Sequence, residues 1–299
     1  MAHLRWERRH DLRRPVLVAA FEGWNDAGDA ASLALSYLAS AWKAKRLAAI
    51  DCEEFFDFTV TRPLVRNLSD PRAKRRRRVE WPDFELLGAR LPFGDHDVLF
   101  LRGTEPQLRW RTFCETCVQA AKEVEASMVV TLGALLADVA HTKPTRVTGT
   151  SDDPALAERL QLRPSRYEGP TGIIGVLHEA FDRAGIPSAS FWAAVPHYVQ
   201  QLACPQAAMA LVARTADLIG AEVDLAELEQ LSDDYVRQVD ERVQADEEAS
   251  LYVAGLEQAQ DDEDLPEDDD PEGLLGQLSA EQLADEAARF LKNHRPGQG

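Results

Sequence analysis

Through residue 220 the chain alternates short, nearly continuous apolar runs with amphipathic stretches of helical period. Nothing else in the sequence restricts the fold as tightly. Residues 16–21 (VLVAAF), 97–103 (DVLFLRG), 127–135 (SMVVTLGAL) and 188–198 (SASFWAAVPHY) have no polar face. Strands of that kind are buried on both sides, as in a parallel sheet with helices on its two faces. Between them, 26–42, the stretch after Pro106, the stretch from Pro154 and 173–184 carry helical patterning. Residues 46–51, 53–60, 81–88 and 146–151 are further expected strands. The expected fold is α/β, a doubly wound, mostly parallel sheet with a C-terminal helical segment.

Beyond Pro205 the pattern is helical throughout. Residues 206–219 form one expected helix, and Leu225, Leu228 and Leu231 seed another. Ser232, followed by Asp233 and Asp234, suits the N-cap of a further helix reaching about Leu256. Residues 260–273 (QDDEDLPEDDDPEG) are a proline-broken charge run with the composition of a linker. From Ser279 a capping-box pattern opens a last amphipathic helix bearing Leu283, Ala287, Phe290 and Leu291. The expected organisation is an α/β domain over 1–220, a helical extension over 221–259, an acidic linker over 260–278 and a helix over 279–299.

Charge follows the same division. The net charge is −18, but residues 1–220 are close to neutral while 221–299 hold 24 acidic and 5 basic groups. No run approaches the ~18 apolar residues of a membrane span, and the basic start lacks a secretory pattern. A cytoplasmic protein is expected. Residues 74–78 (KRRRR) could meet nucleic acid, but no series of stacking aromatics accompanies them, so a solvated loop is expected.

Complete catalytic constellations are missing. There is no G-x-S-x-G elbow, and the HEAFD stretch at His178 lacks the second histidine of a zinc helix. Cys114 and Cys117 form a C-x-x-C inside a helical pattern, where core packing outweighs redox or metal chemistry. No metal and no cofactor is expected. His141 and His197 each follow an apolar strand, at the edge where open α/β sheets place ligands.

Two glycine turns remain. Gly23 and Gly28 have phosphate-loop spacing, but Asp29 and Ala30 stand where Lys and Ser/Thr are needed. Glu22, Asp26 and Asp29 would also repel phosphate, so Asp26 is expected to cap its own helix. The second turn, YEGPTGIIG over 167–175, opens a helix and could seat an anion. A candidate pocket therefore comprises Asn25, Asp26, Gly103, Glu168, Gly169, Thr171 and Gly172. In it Asp26 or Glu168 would be the acid/base and the Thr171 turn the anion seat.

Several of these segments, taken in order, resemble the proteasome assembly chaperone 2 family. They are GWNDAG (23–28), TRP (61–63) before WP (81–82), and G-T-E-P (103–106) with Trp110 and Phe113. RYEGPTG (166–172) completes the set, and GIPSASFWAAVPHYV (185–199) is similar to the actinobacterial branch. The resemblance implies a domain akin to nucleoside phosphorylases and hydrolases, and a non-enzymatic protein working through protein contacts. Proteasome subunits are the partners it suggests, with a homo-oligomer, such as a trimer, as the assembly. It supplies no catalytic residues. The alternative is a nucleoside-phosphorylase- or hydrolase-like protein that binds a small molecule at the candidate pocket.

Overall fold

A computed structural model describes residues 3–8, 11–67, 77–92, 94–162 and 168–262. The strands are β1 (Leu4–Trp6), β2 (Val16–Glu22), β3 (Lys45–Ile50), β4 (Leu64–Asn67), β5 (Arg77–Glu80), β6 (Phe84–Ala89), β7 (Val98–Thr104), β8 (Met128–Ala137), β9 (Val147–Thr150) and β10 (Ser188–Pro196). The helices are α1 (Ala30–Ala41), α2 (Trp110–Glu123), α3 (Pro154–Leu160), α4 (Ile173–Arg183), α5 (Pro205–Ile219), α6 (Ala226–Gln244) and α7 (Glu247–Asp262).

Eight strands form one sheet in the order β1-β3-β6-β7-β2-β8-β10-β9. Its centre, β7-β2-β8-β10, is parallel, and the outer pairings are antiparallel. Five of the eight strands thus point one way, which is the mostly parallel α/β sheet expected. The alternation of β2 shows why its sequence is apolar throughout. Val16, Val18 and Ala20 face one core with α1, α5 and α6, while Leu17, Ala19 and Phe21 face a second core with α2 and α4. Cys114 and Cys117 lie within that second core, and burial pushes the Cys114 thiol up to about 12.

Three local expectations are corrected. Residues 53–60 are turns rather than a strand, because Asp51 and Asp57 accept the N–H groups of Glu53 and Thr59 and close Asx turns. Ser232 is not an N-cap. It sits within α6, and its hydroxyl donates to the Leu228 carbonyl. The break comes instead at Asp246, whose carboxylate accepts the N–H groups of Glu248 and Ala249 at the start of α7. Helix α7 then runs to Asp262, into the stretch assigned to the linker. The remainder of that linker and the 279–299 helix lie outside the described residues.

Candidate functional site

The carboxyl ends of β2 and β7 carry two of the family-like segments, GWNDAG (23–28) and G-T-E-P (103–106). After β2 the chain turns at Gly23, whose φ of 129° lies where L side chains are strained. The Asp26 N–H closes the turn on the Gly23 carbonyl, and Ala134 of β8 donates to the Asn25 carbonyl at 2.8 Å. A single 3-10 turn, Ala27–Asp29, leads into α1. Asp26 caps that helix as the sequence suggested: Oδ1 accepts the Ala31 and Ser32 N–H groups at 2.7 and 3.1 Å. Its Oδ2 is buried without a hydrogen-bond partner among the described residues, and Asp26 is only 6 % exposed. Loss of solvation raises its pKa to about 6.

Glu105, directly after β7, ties the first turn to the second. Its N–H donates to the Glu22 carbonyl at 2.8 Å. Its Oε1 accepts the N–H of Ile173, the first residue of α4, at 2.8 Å and the Asn25 amide at 3.4 Å. Burial raises the Glu105 pKa. Gly172 is required there, because a Cβ would come within 2.3 Å of the Asn25 amide nitrogen. The N-terminus of α4 is thereby filled by the chain's own carboxylate, satisfying an N–H that the helix leaves unpaired.

The candidate residues fall into two groups around this junction. Asn25 and Gly172 are in the Glu105 cluster, and Asp26 adjoins it through the turn. Thr171 and Gly169 line a separate cavity of about 700 Å³, and the Thr171 hydroxyl donates to the Gly172 carbonyl. Glu168 is exposed on the turn before α4. Gly103 serves strand packing, since a Cβ there would lie 2.6 Å from the Phe84 ring and 2.9 Å from the Asp83 carbonyl. Glu105 was not among the candidates, although its carboxylate at a strand end in G-T-E-P was the signal available.

The cavity is walled by hydroxyls, by His178 and by the carboxylates Asp152, Asp153, Glu179 and Asp182, which oppose an anion there. His178 Nε2 is 2.8 Å from the Thr131 hydroxyl, and Nδ1 is 2.7 Å from that of Ser188. Burial lowers its pKa to about 4. The ring is therefore neutral at pH 7 and engaged at both ends, tying α4 to β8 and β10. No group of three metal-ligating side chains occurs among the described residues.

His141 and His197 stand at the ends of β8 and β10, under α6 and α7. His141 is 1 % exposed. Its backbone N–H donates to the Tyr198 hydroxyl at 2.8 Å. Its Nδ1 lies 2.7 Å from that hydroxyl, and its Nε2 lies 3.0 Å from Asp240 of α6. The tautomer with the proton on Nε2 satisfies all three contacts, with Nδ1 accepting from Tyr198. His197 packs edge-on against Tyr198 and against Tyr252 of α7, whose hydroxyl donates to Asp138. Gln260, near the end of α7, accepts the Ala140 N–H at 2.7 Å. The two histidines thus dock the C-terminal helices on the rim.

Beside the Glu105 junction the rim is apolar and exposed. Trp24 is 58 % exposed, and Leu108 and Trp81 are also exposed. Trp81 meets Phe58 edge-on, and the Gln107 and Leu108 N–H groups donate to the Phe55 carbonyl.

The PAC2 family model matches residues 20–243, which include the turns after β2 and β7, the start of α4 and both rim histidines. The chain belongs to the PAC2 family. Among solved structures, a PAC2 family protein from Streptomyces avermitilis is 45% identical with a TM-score of 0.73, covering 80% of this chain and 99% of that one. A proteasome-assembly chaperone homologue from Mycobacterium tuberculosis is 43% identical with a TM-score of 0.71, again covering 80% and 99%. The archaeal proteasome activator PbaB of Pyrococcus furiosus is 18% identical with a TM-score of 0.65, covering 80% and 100%, and shares the fold. No curated protein matches significantly.

Proposed function

We propose that this PAC2 family protein is a non-enzymatic, cytoplasmic docking protein. It meets other proteins through the carboxyl rim of its sheet, as a homo-oligomer, and proteasome subunits are its first partners to test. The observation that carries this reading is the Glu105 contact with α4. Glu105 is spent on the Ile173 N–H and the Asn25 amide, whereas Trp24, Leu108 and Trp81 face solvent. Exposed aromatic anchors beside a helix N-terminus already filled by the chain's own carboxylate suit a protein partner better than a small anion. The names of the mycobacterial and archaeal relatives point to the same class of partner. No helix among the described residues is long and apolar enough to cross a membrane.

Native mass measurement of the full chain with cognate 20S α-subunits tests the proposal. A complex that is lost on Trp24→Ala, with the fold intact by circular dichroism, is expected. No complex at any salt or pH, together with a raised melting temperature in nucleosides or phosphate, would overturn the docking reading in favour of a small-molecule site.

A further inference from the structure

The cavity between α4 and the β9–β10 edge of the sheet has a buried end and an exposed end, and the two differ in chemistry. Its buried end is lined by Thr150, Ser188 and Ser190, of which Ser188 is 8 % exposed and Ser190 only 4 %. Its exposed end carries Asp152 and Asp182, with Asp153 and Glu179 as further lining carboxylates. Among the described residues no lysine or arginine lines it. Ile174, Ile186 and Pro187 add apolar wall, and the volume of about 700 Å³ is that of a small-molecule pocket.

Counting protons shows what the buried end can offer. Thr131 is fully buried, and its hydroxyl meets only His178 Nε2. Were the ring to donate there, the Thr131 hydrogen would be left buried without an acceptor. Thr131 therefore donates, and the single proton of the neutral ring sits on Nδ1. Nδ1 then donates to Ser188 Oγ at 2.7 Å, so the Ser188 hydrogen has no acceptor among the described residues. Thr150 and Ser190 share one hydrogen bond of 2.7 Å, which leaves one hydrogen of that pair over as well. Ser188 and Ser190 stand two residues apart on one face of β10, roughly 7 Å from each other. The buried end thus presents two donors that need oxygen acceptors. At the exposed end Asp153 caps α3 and Glu179 pairs with Arg183, whereas Asp152 and Asp182 make no ion pair among the described residues. Those carboxylates attract a cation and exclude an anion.

We propose that this cavity binds an amino sugar, with sugar oxygens accepting from Ser188 and the Thr150–Ser190 pair and the ammonium group held at Asp152 and Asp182. A sugar ring carries oxygen acceptors and an apolar carbon face, and its amine supplies the charge that the carboxylates select. The site is the reverse of the anion seat expected at Thr171, whose hydroxyl is engaged by the Gly172 carbonyl. It lies apart from Trp24, Trp81 and Leu108, so it does not depend on the docking partner and is tested without one.

Calorimetric titration of the full chain with glucosamine and with its disaccharide tests the site, with glucose, a glucose phosphate and butylamine as controls. At least one of the two amino sugars should bind at least about tenfold more tightly than glucose or butylamine, and the phosphate should not bind. Tighter binding of the disaccharide would assign the site to the end of a glycan, and equal binding to the free sugar. The paired change Asp152→Asn with Asp182→Asn should weaken amino-sugar binding at least about tenfold and leave that of glucose unchanged. Ser190→Ala should weaken both. Melting temperatures of the unliganded variants show whether the fold is kept, and the two aspartates are exposed enough to be changed without touching the core. No saturable heat with either amino sugar at ~10 mM, or equal affinity for glucose and glucosamine, would overturn the proposal. So would undiminished binding in the paired aspartate variant.

Discussion

Asp26 and Glu105 are both carboxylates drawn out of water to hold backbone N–H groups at a helix start, and the second oxygen of Asp26 is left without a partner among the described residues. The folded Asp26 carboxyl keeps its proton up to about pH 6, against an ordinary value of 3.8. Between about pH 4 and 6 the folded state therefore binds more protons than the unfolded chain, and stability falls as pH rises. Replacing Asp26 with Asn should remove roughly 2–3 kcal/mol of that decline. Urea midpoints for both proteins at pH 4.5 and 7 would show it, and parallel declines would contradict the assignment. Glu105→Ala should cost about 1–2 kcal/mol by uncapping α4, with Glu105→Gln milder because its amide oxygen still accepts. Chemical denaturation decides, and equal losses would exclude the capping role. The Asp26 cap was legible because cap and helix are neighbours in sequence. Glu105 was not, because Ile173 lies 68 residues further on and only the fold brings them together.

Among elements, the strand-to-helix connection at Gly28 is held closely against the start of α5. Gly28 has a φ of 57°, and a Cβ there would lie 2.9 Å from that of Cys204. The Cys204 N–H donates to the Gly28 carbonyl at 2.7 Å, locking the start of α5 to this turn. Gly28→Ala should destabilise by about 1–3 kcal/mol through strain and overlap together, measured as a lowered thermal midpoint. An unchanged midpoint would mean that the two segments separate without cost. The parallel centre of the sheet was readable because its strands are apolar on both faces. The antiparallel flank was less so, although a clue was present. Among the described residues no helix connects β3 to β6 or β6 to β7, and a parallel pairing needs a crossover. Ser232 misled because its hydroxyl can serve a helix interior as well as a cap, and the choice rested on Leu228 behind it.

At the scale of the molecule, the C-terminal helices are joined to the body by a polar latch rather than by apolar contact alone. Tyr198→Phe removes the hydroxyl that serves both the backbone N–H and the ring of His141. It should cost about 1–3 kcal/mol by leaving those buried groups unpaired. The loss should appear first as faster hydrogen exchange in α6 and α7, and exchange quickened evenly through the body would argue against a local latch. The sequence placed His141 and His197 at the rim, but it could not say that the chain's own helices would claim them. That latch also orders events during synthesis. Strands β8 and β10 are made well before Asp240, Tyr252 and Gln260, and chains fold from the N-terminus as they emerge. The growing chain therefore carries an open rim on an otherwise complete sheet until α6 and α7 have been made and close it.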